Sequence, residues 1–336
     1  MNKKEPFLSI IIPAYRGEET VPRLLRSIFA SSYQDFEVVI VDDGSPKPIR
    51  ENLSNFSNLT NLRIIRLSKN GGPAGARNAG AKVALGRVLV FFDADVTLFA
   101  DTLTRIAKRF NDPDTLALTG VWTKEQKSKA FFPNFKALRD WSYWINERDR
   151  RGYYYLFSTR NASIDKTLFF RLGGFNESYK AALVEDIELT YRIARRHAVI
   201  FDPKIRVRHE FEGFFPIAKK YFWRSYYWSG LYLKRRRFDP VATTLWETVT
   251  GFLGVLAPPT ILLGVIFKPI LFVGLLILAA HLLLLQKFIR FIFREKGLAF
   301  TLKGILTGIV LYYFIYAGVG WLFLSRGFRR FDRRGN

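Results

Sequence analysis

Apolar residues in the N-terminal part of the chain gather in four short runs with little alternation: residues 8–12, 36–41, 62–67 and 86–96, the last reading GRVLVFFDADV. Uninterrupted runs of this length, bounded by Gly, Pro and acids, suit strands buried on both faces of a parallel sheet. After the first run, Val21, Leu24, Leu25, Ile28 and Phe29 recur at helical spacing within 18–31, and 74–85 predicts a second helix behind the glycine-rich GGPAG. Strands alternating with helical segments imply a parallel, right-handed α/β sheet. The strand exits, among them Asp42-Asp43-Gly44-Ser45 and the pair Asp93 and Asp95, then face one crevice.

Further on, 117–121 predicts a strand and 134–150 a helix rich in aromatic residues and charge. Residues 153–164 read as extended, 166–172 as a short helix, and Gly173, Gly174 and Phe175 as a turn. A charged helix over 185–196 carries Glu185, Asp186 and Glu188 in its first turn, where the helix dipole favours acids. Two short strands, 199–201 and 205–207, end near His209.

The pattern then changes. Residues 204–237 hold ten Lys or Arg against two Glu, interleaved with aromatic rings such as Trp223, Tyr226, Tyr227 and Trp228. Cations mixed with aromatic rings suit the headgroup layer of a bilayer, so this segment reads as an interfacial helix. Charge-free runs follow over 248–267, 269–286 and 304–325, each near the roughly 20 residues a crossing needs. Two or three spans result. Pro258 and Pro259 interrupt the first run, which reads either as a span or as a re-entrant hairpin, and positive charges on the two sides nearly balance under the two readings. The expected organisation is a catalytic domain over 1–210, an interfacial segment over 211–240, a transmembrane region over 241–325 and a basic tail over 326–336.

Composition sharpens this division. The 336 residues are 49% hydrophobic and 16% aromatic, yet carry a formal charge of +23. Such a balance calls for a polyanionic partner. Because the basic residues concentrate beside apolar runs and in the tail, the partner read here is membrane lipid and not nucleic acid. The absence of cysteine excludes disulfides, thiolate nucleophiles and zinc-thiolate sites. The N-terminal apolar stretch meets Pro13 too early for a signal peptide, so the first domain is expected to stay on the cytoplasmic side.

Side chains of an extended chain alternate, so Asp93 and Asp95 point the same way and are placed to share a divalent cation with a diphosphate. Read alone, the tripeptide is equally two solvated acids opening a turn. Arg77 and Asn78 follow a glycine-rich turn at a helix start, where amides and a guanidinium hold phosphate. Neither the GxGxxG nor the GxxxxGK[ST] pattern is present, which removes two rival nucleotide folds.

Taken together, SIIIPAY (9–15), VVIVDDGS (38–45), GGPAGARNAG (71–80), FFDAD (91–95), GGFNE (173–177), VEDIELTYR (184–192) and VRHE (207–210) resemble, in order and spacing, the family 2 glycosyltransferases with the nucleotide-sugar-binding GT-A fold. The resemblance spans about two hundred residues, and the C-terminal third matches only the looser pattern of membrane-anchored members. It implies sugar transfer from a nucleotide-diphosphate donor with Mn²⁺ or Mg²⁺ as cofactor. It implies Pro13, Tyr15, Asp43 (with Asp42 as second candidate), Arg77 and Asp93 at the donor nucleotide, and Asp93, Asp95 and His209 at the metal. Asp186, with Glu185 beside it, is the implied catalytic acid pair, and Asn161 and Arg224 are candidate acceptor or phosphate contacts.

The expectation is therefore a metal-dependent inverting glycosyltransferase at the cytoplasmic membrane face, moving a sugar to a lipid-linked, polyprenyl-linked saccharide. Polyprenyl phosphate is the alternative acceptor, and it needs no strong base because phosphate is already ionised. A non-catalytic basic membrane or nucleic-acid binding protein is the rival from another class. His281, ionisable within an apolar run, reads as a helix-packing group.

Overall fold

A computed structural model describes residues 5–147, 155–179, 181–238 and 244–332. The chain divides into two compact units, Met1–Glu125 with Arg150–Glu210, and Gln126–Asp149 with Phe211–Asn336.

The first unit is an eight-stranded sheet with helices. Its elements run β1 (Leu8–Ala14), α1 (Thr20–Phe29), β2 (Phe36–Asp42), β3 (Leu62–Arg66), α2 (Pro73–Val83), β4 (Val88–Phe91), β5 (Val96–Leu98), α3 (Thr102–Arg109) and β6 (Ala117–Trp122). After α4 (Phe131–Ser142), which groups with the second unit, come β7 (Ala162–Asp165), α5 (Lys166–Arg171), α6 (Glu185–Ile193) and β8 (Ile200–His209). Strand order is β3-β2-β1-β4-β7-β6-β8-β5. The pairs β3–β2, β2–β1, β1–β4 and β6–β8 are parallel, and β4–β7, β7–β6 and β8–β5 are antiparallel.

The four apolar runs become β1 to β4, and every residue of β2 and β4 is buried, as strands covered on both faces require. Helix α2 starts at Pro73, whose fixed φ suits a first turn, after Gly72 at φ +86. It lies so close to the sheet that a Cβ on Gly80 would sit 2.6 Å from Ile11 Cγ2. Phe91 of β4 is fully buried against Phe157, Phe169 and Phe175, which joins the two halves of the sheet through aromatic edges and faces.

Two readings change here. The extended stretch expected over 153–164 contributes only its last three residues to β7, with 153 and 154 outside the described residues. The two short strands at 199–201 and 205–207 are one strand, β8. It pairs with β6 first at Leu118↔Ile200 and Thr119↔Phe201, then at Val121↔Arg206 and Trp122↔Val207. The irregular stretch between these pairs holds Pro203, which lacks the N–H a regular ladder needs.

The second unit is helical, with α4 followed by one turn of π-helix (Tyr143–Glu147), then α7 (Phe214–Arg235), α8 (Leu245–Ile266), α9 (Lys268–Leu284) and α10 (Gln286–Asp332). The stretch Gln126–Asp149 falls in this unit and not with the residues that precede it. The reason is an aromatic face: Phe132, Phe135 and Leu138 of α4 pack with Ile217 and Ala218 of α7 and Phe288, Ile292 and Leu311 of α10. Helix α8 begins with a capping box, in which Thr244 and Glu247 satisfy each other's backbone amides.

Helix α8 runs through Pro258 and Pro259 without ending, so the proline-broken hairpin is not formed there. The turn comes at Phe267 instead, and α9 returns along α8 with Gly264 against Leu271, Gly274 against Ile261 and Gly254 against the ring of His281. His281 is fully buried and its Nδ1 lies 2.8 Å from the Thr250 carbonyl, the expected packing bond. Helix α10 is two helices joined at Gly297, where φ is +78. Among the described residues, Leu245–Ile266 and Gln286–Ser325 are long and apolar enough to cross a membrane, and Lys268–Leu284 is shorter.

Candidate active site

The site forms where the parallel strands end. β4 stops at Phe91, and the chain turns through Asp93 and Asp95 before pairing again as β5. β5 joins β8 through Val96↔His209, which brings His209 beside the acids: its Nε2 lies 3.3 Å from Asp95 Oδ2. Burial by itself would raise the Asp95 carboxyl, but the hydrogen bond and charge of His209 and the charge of Arg160 outweigh it and hold the group below its ordinary value. Asp95 Oδ1 is buried without a hydrogen-bond partner. An orphaned carboxylate oxygen marks a place for a cation or donor.

Asp93 faces a different partner. Arg77 of α2 donates from Nη2 to Asp93 Oδ1 at 2.7 Å and from Nη1 to Glu185 Oε1 at 2.9 Å. Arg77 is 2% exposed, and its guanidinium lies 5.5 Å from the Phe175 ring. Burial opposes its charge, yet Asp93 and Glu185 outweigh that and raise its pKa above the ordinary value. The neighbouring Asn78 clasps the Gly173–Phe175 turn: its Oδ1 accepts from Phe175 N, and its Nδ2 donates to Phe175 O and Glu177 Oε1, each at 2.9 Å.

Glu185 is 2% exposed, and its second oxygen accepts from Leu183 N at 2.9 Å. Both oxygens are thus committed. Asp186, next along the first turn of α6, is partly exposed and accepts from Ile187 N at 2.8 Å through Oδ1.

At the neighbouring strand exits, Asp42 and Asp43 divide the work. Asp42 accepts from Ser45 N at 2.9 Å, Ile49 N at 3.2 Å and Arg66 Nη1 at 3.1 Å, closing its own turn. Asp43 accepts from Gly71 N at 2.8 Å and Gly72 N at 2.9 Å, which ties the β2 exit to the glycine loop before α2. Pro13 lies in β1 and is half-buried, while Tyr15 just beyond it is 44% exposed with Arg16 over its ring at 5.3 Å. Tyr15, Asp43 and the 93–95 turn thus belong to neighbouring strand ends.

Three expected contacts change. Arg77, expected at the donor phosphates from its place after a glycine-rich turn, is buried between two carboxylates, Asp93 and Glu185. Glu185 is likewise a buried partner of Arg77 and not an open acid. Asn161 is 2% exposed, and its amide donates to Ile205 O at 3.1 Å and Val121 O at 3.4 Å. It locks β6 to β8 at the irregularity, in space that Gly120 leaves free: a Cβ there would lie 2.2 Å from Asn161 Nδ2. Arg224 lies on α7, in the second unit.

Sequence reading passed over Arg160. Its guanidinium lies 4.4 Å from the Trp122 ring, and its charge acts on Asp95. The only signal was adjacency to Asn161. Arg23, whose Nη2 donates to Asp95 O at 3.3 Å, was missed because a helix-face arginine looks solvated in sequence.

Residues 9–178, half of the chain, match the family model described as glycosyl transferase family 2, and the chain belongs to that family. It is 35% identical over 106 residues to the succinoglycan biosynthesis protein ExoO of Rhizobium meliloti (strain 1021), a match covering 32% of this chain and 30% of ExoO. The chain thus spans under a third of that relative's length. It is 24% identical over 248 residues to the glucosyl-dolichyl phosphate glucuronosyltransferase of Haloferax volcanii, covering 68% of this chain and 76% of that protein. Among solved structures, the mannosyltransferase PcManGT from Pyrobaculum calidifontis, in complex with GDP-Man and Mn²⁺, superposes with a TM-score of 0.60 over 96% of this chain and 88% of its own, at 18% identity. This likeness shows a shared fold, the GT-A arrangement.

Proposed function

We propose that the chain is an inverting glycosyltransferase that moves a sugar from a nucleotide-diphosphate donor to a lipid-linked saccharide at the cytoplasmic face of a membrane. One observation carries this reading: acids from two distant places, Asp93 after β4 and Glu185 beside Asp186 at the start of α6, are brought together, Asp93 and Glu185 on a single buried arginine.

Asp93 and Asp95 supply hard oxygen ligands, and the orphaned Asp95 Oδ1 fits Mn²⁺ or Mg²⁺. Among the described residues no three His, Asp or Glu side chains form a complete metal cluster, so the protein would provide part of a coordination sphere and the diphosphate the rest. Such a cation would neutralise charge on the leaving diphosphate. PcManGT, in complex with GDP-Man and Mn²⁺, and GalNAc-T7, in complex with UDP, GalNAc and Mn²⁺, support divalent metal use in this fold.

Tyr15 offers an exposed ring for stacking on the base. Asp43, which holds the glycine loop at the β2 exit, is the acid that would accept from a base N–H. Asp186 takes the proton from the acceptor hydroxyl as the acceptor oxygen bonds the anomeric carbon and the bond from that carbon to the diphosphate oxygen breaks. The lipid-linked acceptor rests on the apolar helices α8 and α10 in the same chain and on the dolichyl-phosphate-linked substrate in the name of the Haloferax relative.

The test uses the full chain in lipid vesicles, with Mn²⁺, a panel of nucleotide sugars and a polyprenyl-linked saccharide. Nucleoside diphosphate release that needs both metal and acceptor is expected. Release with no donor in the panel, or salt-sensitive nucleic-acid binding without any turnover, overturns the enzyme reading. Transfer to polyprenyl phosphate that survives Asp186→Asn replaces the saccharide acceptor with the phosphate one.

A further inference from the structure

Arg77 is buried to 2% exposure and touches two carboxylates that serve different halves of the reaction. Asp93 belongs to the turn assigned to the cation, while Glu185 precedes the acid assigned to the acceptor proton. Glu185 fixes that second loop by accepting from Leu183 N at 2.9 Å as well as from Arg77. Arg77 itself is held from below by Phe175, whose turn Asn78 clamps. One cation shared between two anions in a closed space cannot favour both fully. Whatever draws Asp93 away shifts its charge toward Glu185, and whatever neutralises Glu185 leaves it to Asp93.

We infer that Arg77 is a positioning residue that makes cation binding at Asp93 and the placement of the α6 acids interdependent. The inference rests on the metal-dependent reading above and deepens it. Arg77 competes with the divalent cation for Asp93, and Glu185 tempers that competition by holding the other side of the guanidinium. A cation arriving with the diphosphate therefore strengthens the Arg77–Glu185 bond and firms the loop that carries Asp186. Donor binding thereby prepares the acceptor side.

The sign of the coupling makes it testable. In the full chain, Mn²⁺ is titrated in the presence of GDP and of UDP in turn, and protein-bound Mn²⁺ is followed by electron paramagnetic resonance. Glu185→Gln, which is isosteric and remote from the cation, leaves Arg77 with Asp93 as its one charged partner and should weaken Mn²⁺ binding about tenfold. Arg77→Gln alone strands a buried Glu185 carboxylate and is prone to misfold. The double variant Arg77→Gln with Glu185→Gln removes both charges and should bring Mn²⁺ binding back to at least the wild-type level, while transfer stays low because the loop has lost its tie. A purely structural role predicts instead that the double variant binds Mn²⁺ no better than Glu185→Gln, and that result overturns the inference. Asp95→Asn separates the two levels. If it binds Mn²⁺ as the wild type does, or if the wild type binds none, the metal reading itself is wrong and the coupling falls with it. If Asp95→Asn abolishes binding but Glu185→Gln leaves it unchanged, only the coupling fails.

Discussion

Strands β3, β2, β1 and β4 run parallel, joined by crossovers within the first ninety-one residues, whereas β7, β6, β8 and β5 change direction and draw on residues 96–209. The first half is assembled from neighbours in the chain, and its exits carry Tyr15, Asp43 and Asp93. The second half is assembled from pieces far apart, with Asp186 on α6 and His209 at the end of β8. Under the proposed function the difference would separate two jobs: the parallel half would offer a pocket for a nucleotide diphosphate, and the mixed half would bring the acid that meets the acceptor. Arg77 of α2 hydrogen-bonds to both, to Asp93 in the first half and to Glu185 in the second.

The largest test of that division compares Asp93→Asn with Asp186→Asn. Both should lower transfer by about 10²–10⁴-fold. Only Asp93→Asn should also lose metal-dependent donor binding, read by calorimetry. If Asp186→Asn loses donor binding too, the two halves are not functionally separate.

Next comes the seam. Phe91→Ala opens a void among Phe157, Phe169 and Phe175 and should cost about 3–5 kcal/mol, read from the denaturant midpoint of the full chain. A cost below about 1 kcal/mol would show that the halves do not depend on this aromatic join. Smaller again is Asn161→Ala, which leaves the Val121 and Ile205 carbonyls without their side-chain donor and should cost about 1–3 kcal/mol. The acceptor KM should stay unchanged, and a large rise in KM without loss of stability would return Asn161 to the acceptor surface.

The smallest effect belongs to the edge of the parallel half. Arg66 is 42% exposed where it meets Asp42, and Asp42 keeps two backbone amides without it. Arg66→Gln should therefore cost no more than about 1 kcal/mol.

Much of the parallel half was readable in advance. Runs such as FEVVIV and GRVLVFF announce doubly covered strands, and the Val21–Leu24–Leu25–Ile28 spacing announces α1, because burial on one face repeats with the period of the element that causes it. The mixed half was read piecemeal. β8 looked like two strands because Pro203 interrupts its apolar pattern, and residues 126–149 gave no local sign that their aromatic face belongs with helices more than sixty positions later.

The site divides in the same way. Sequence alone determined which acids lie at strand exits and helix starts, since strand periodicity and the helix dipole act over a few residues: Asp93, Asp95 and Asp186 lie at those places, while the role expected of Asp186 came from the family resemblance. Tertiary structure alone decided what each group faces. Arg77 meets Glu185 across 108 residues, and Asn161 meets Ile205 across 44. Whether a polar side chain waits for a ligand or satisfies a neighbour depends on which chain segments close over it. Burial makes that choice by penalising any charge left without a partner, and no local pattern records who the partner will be.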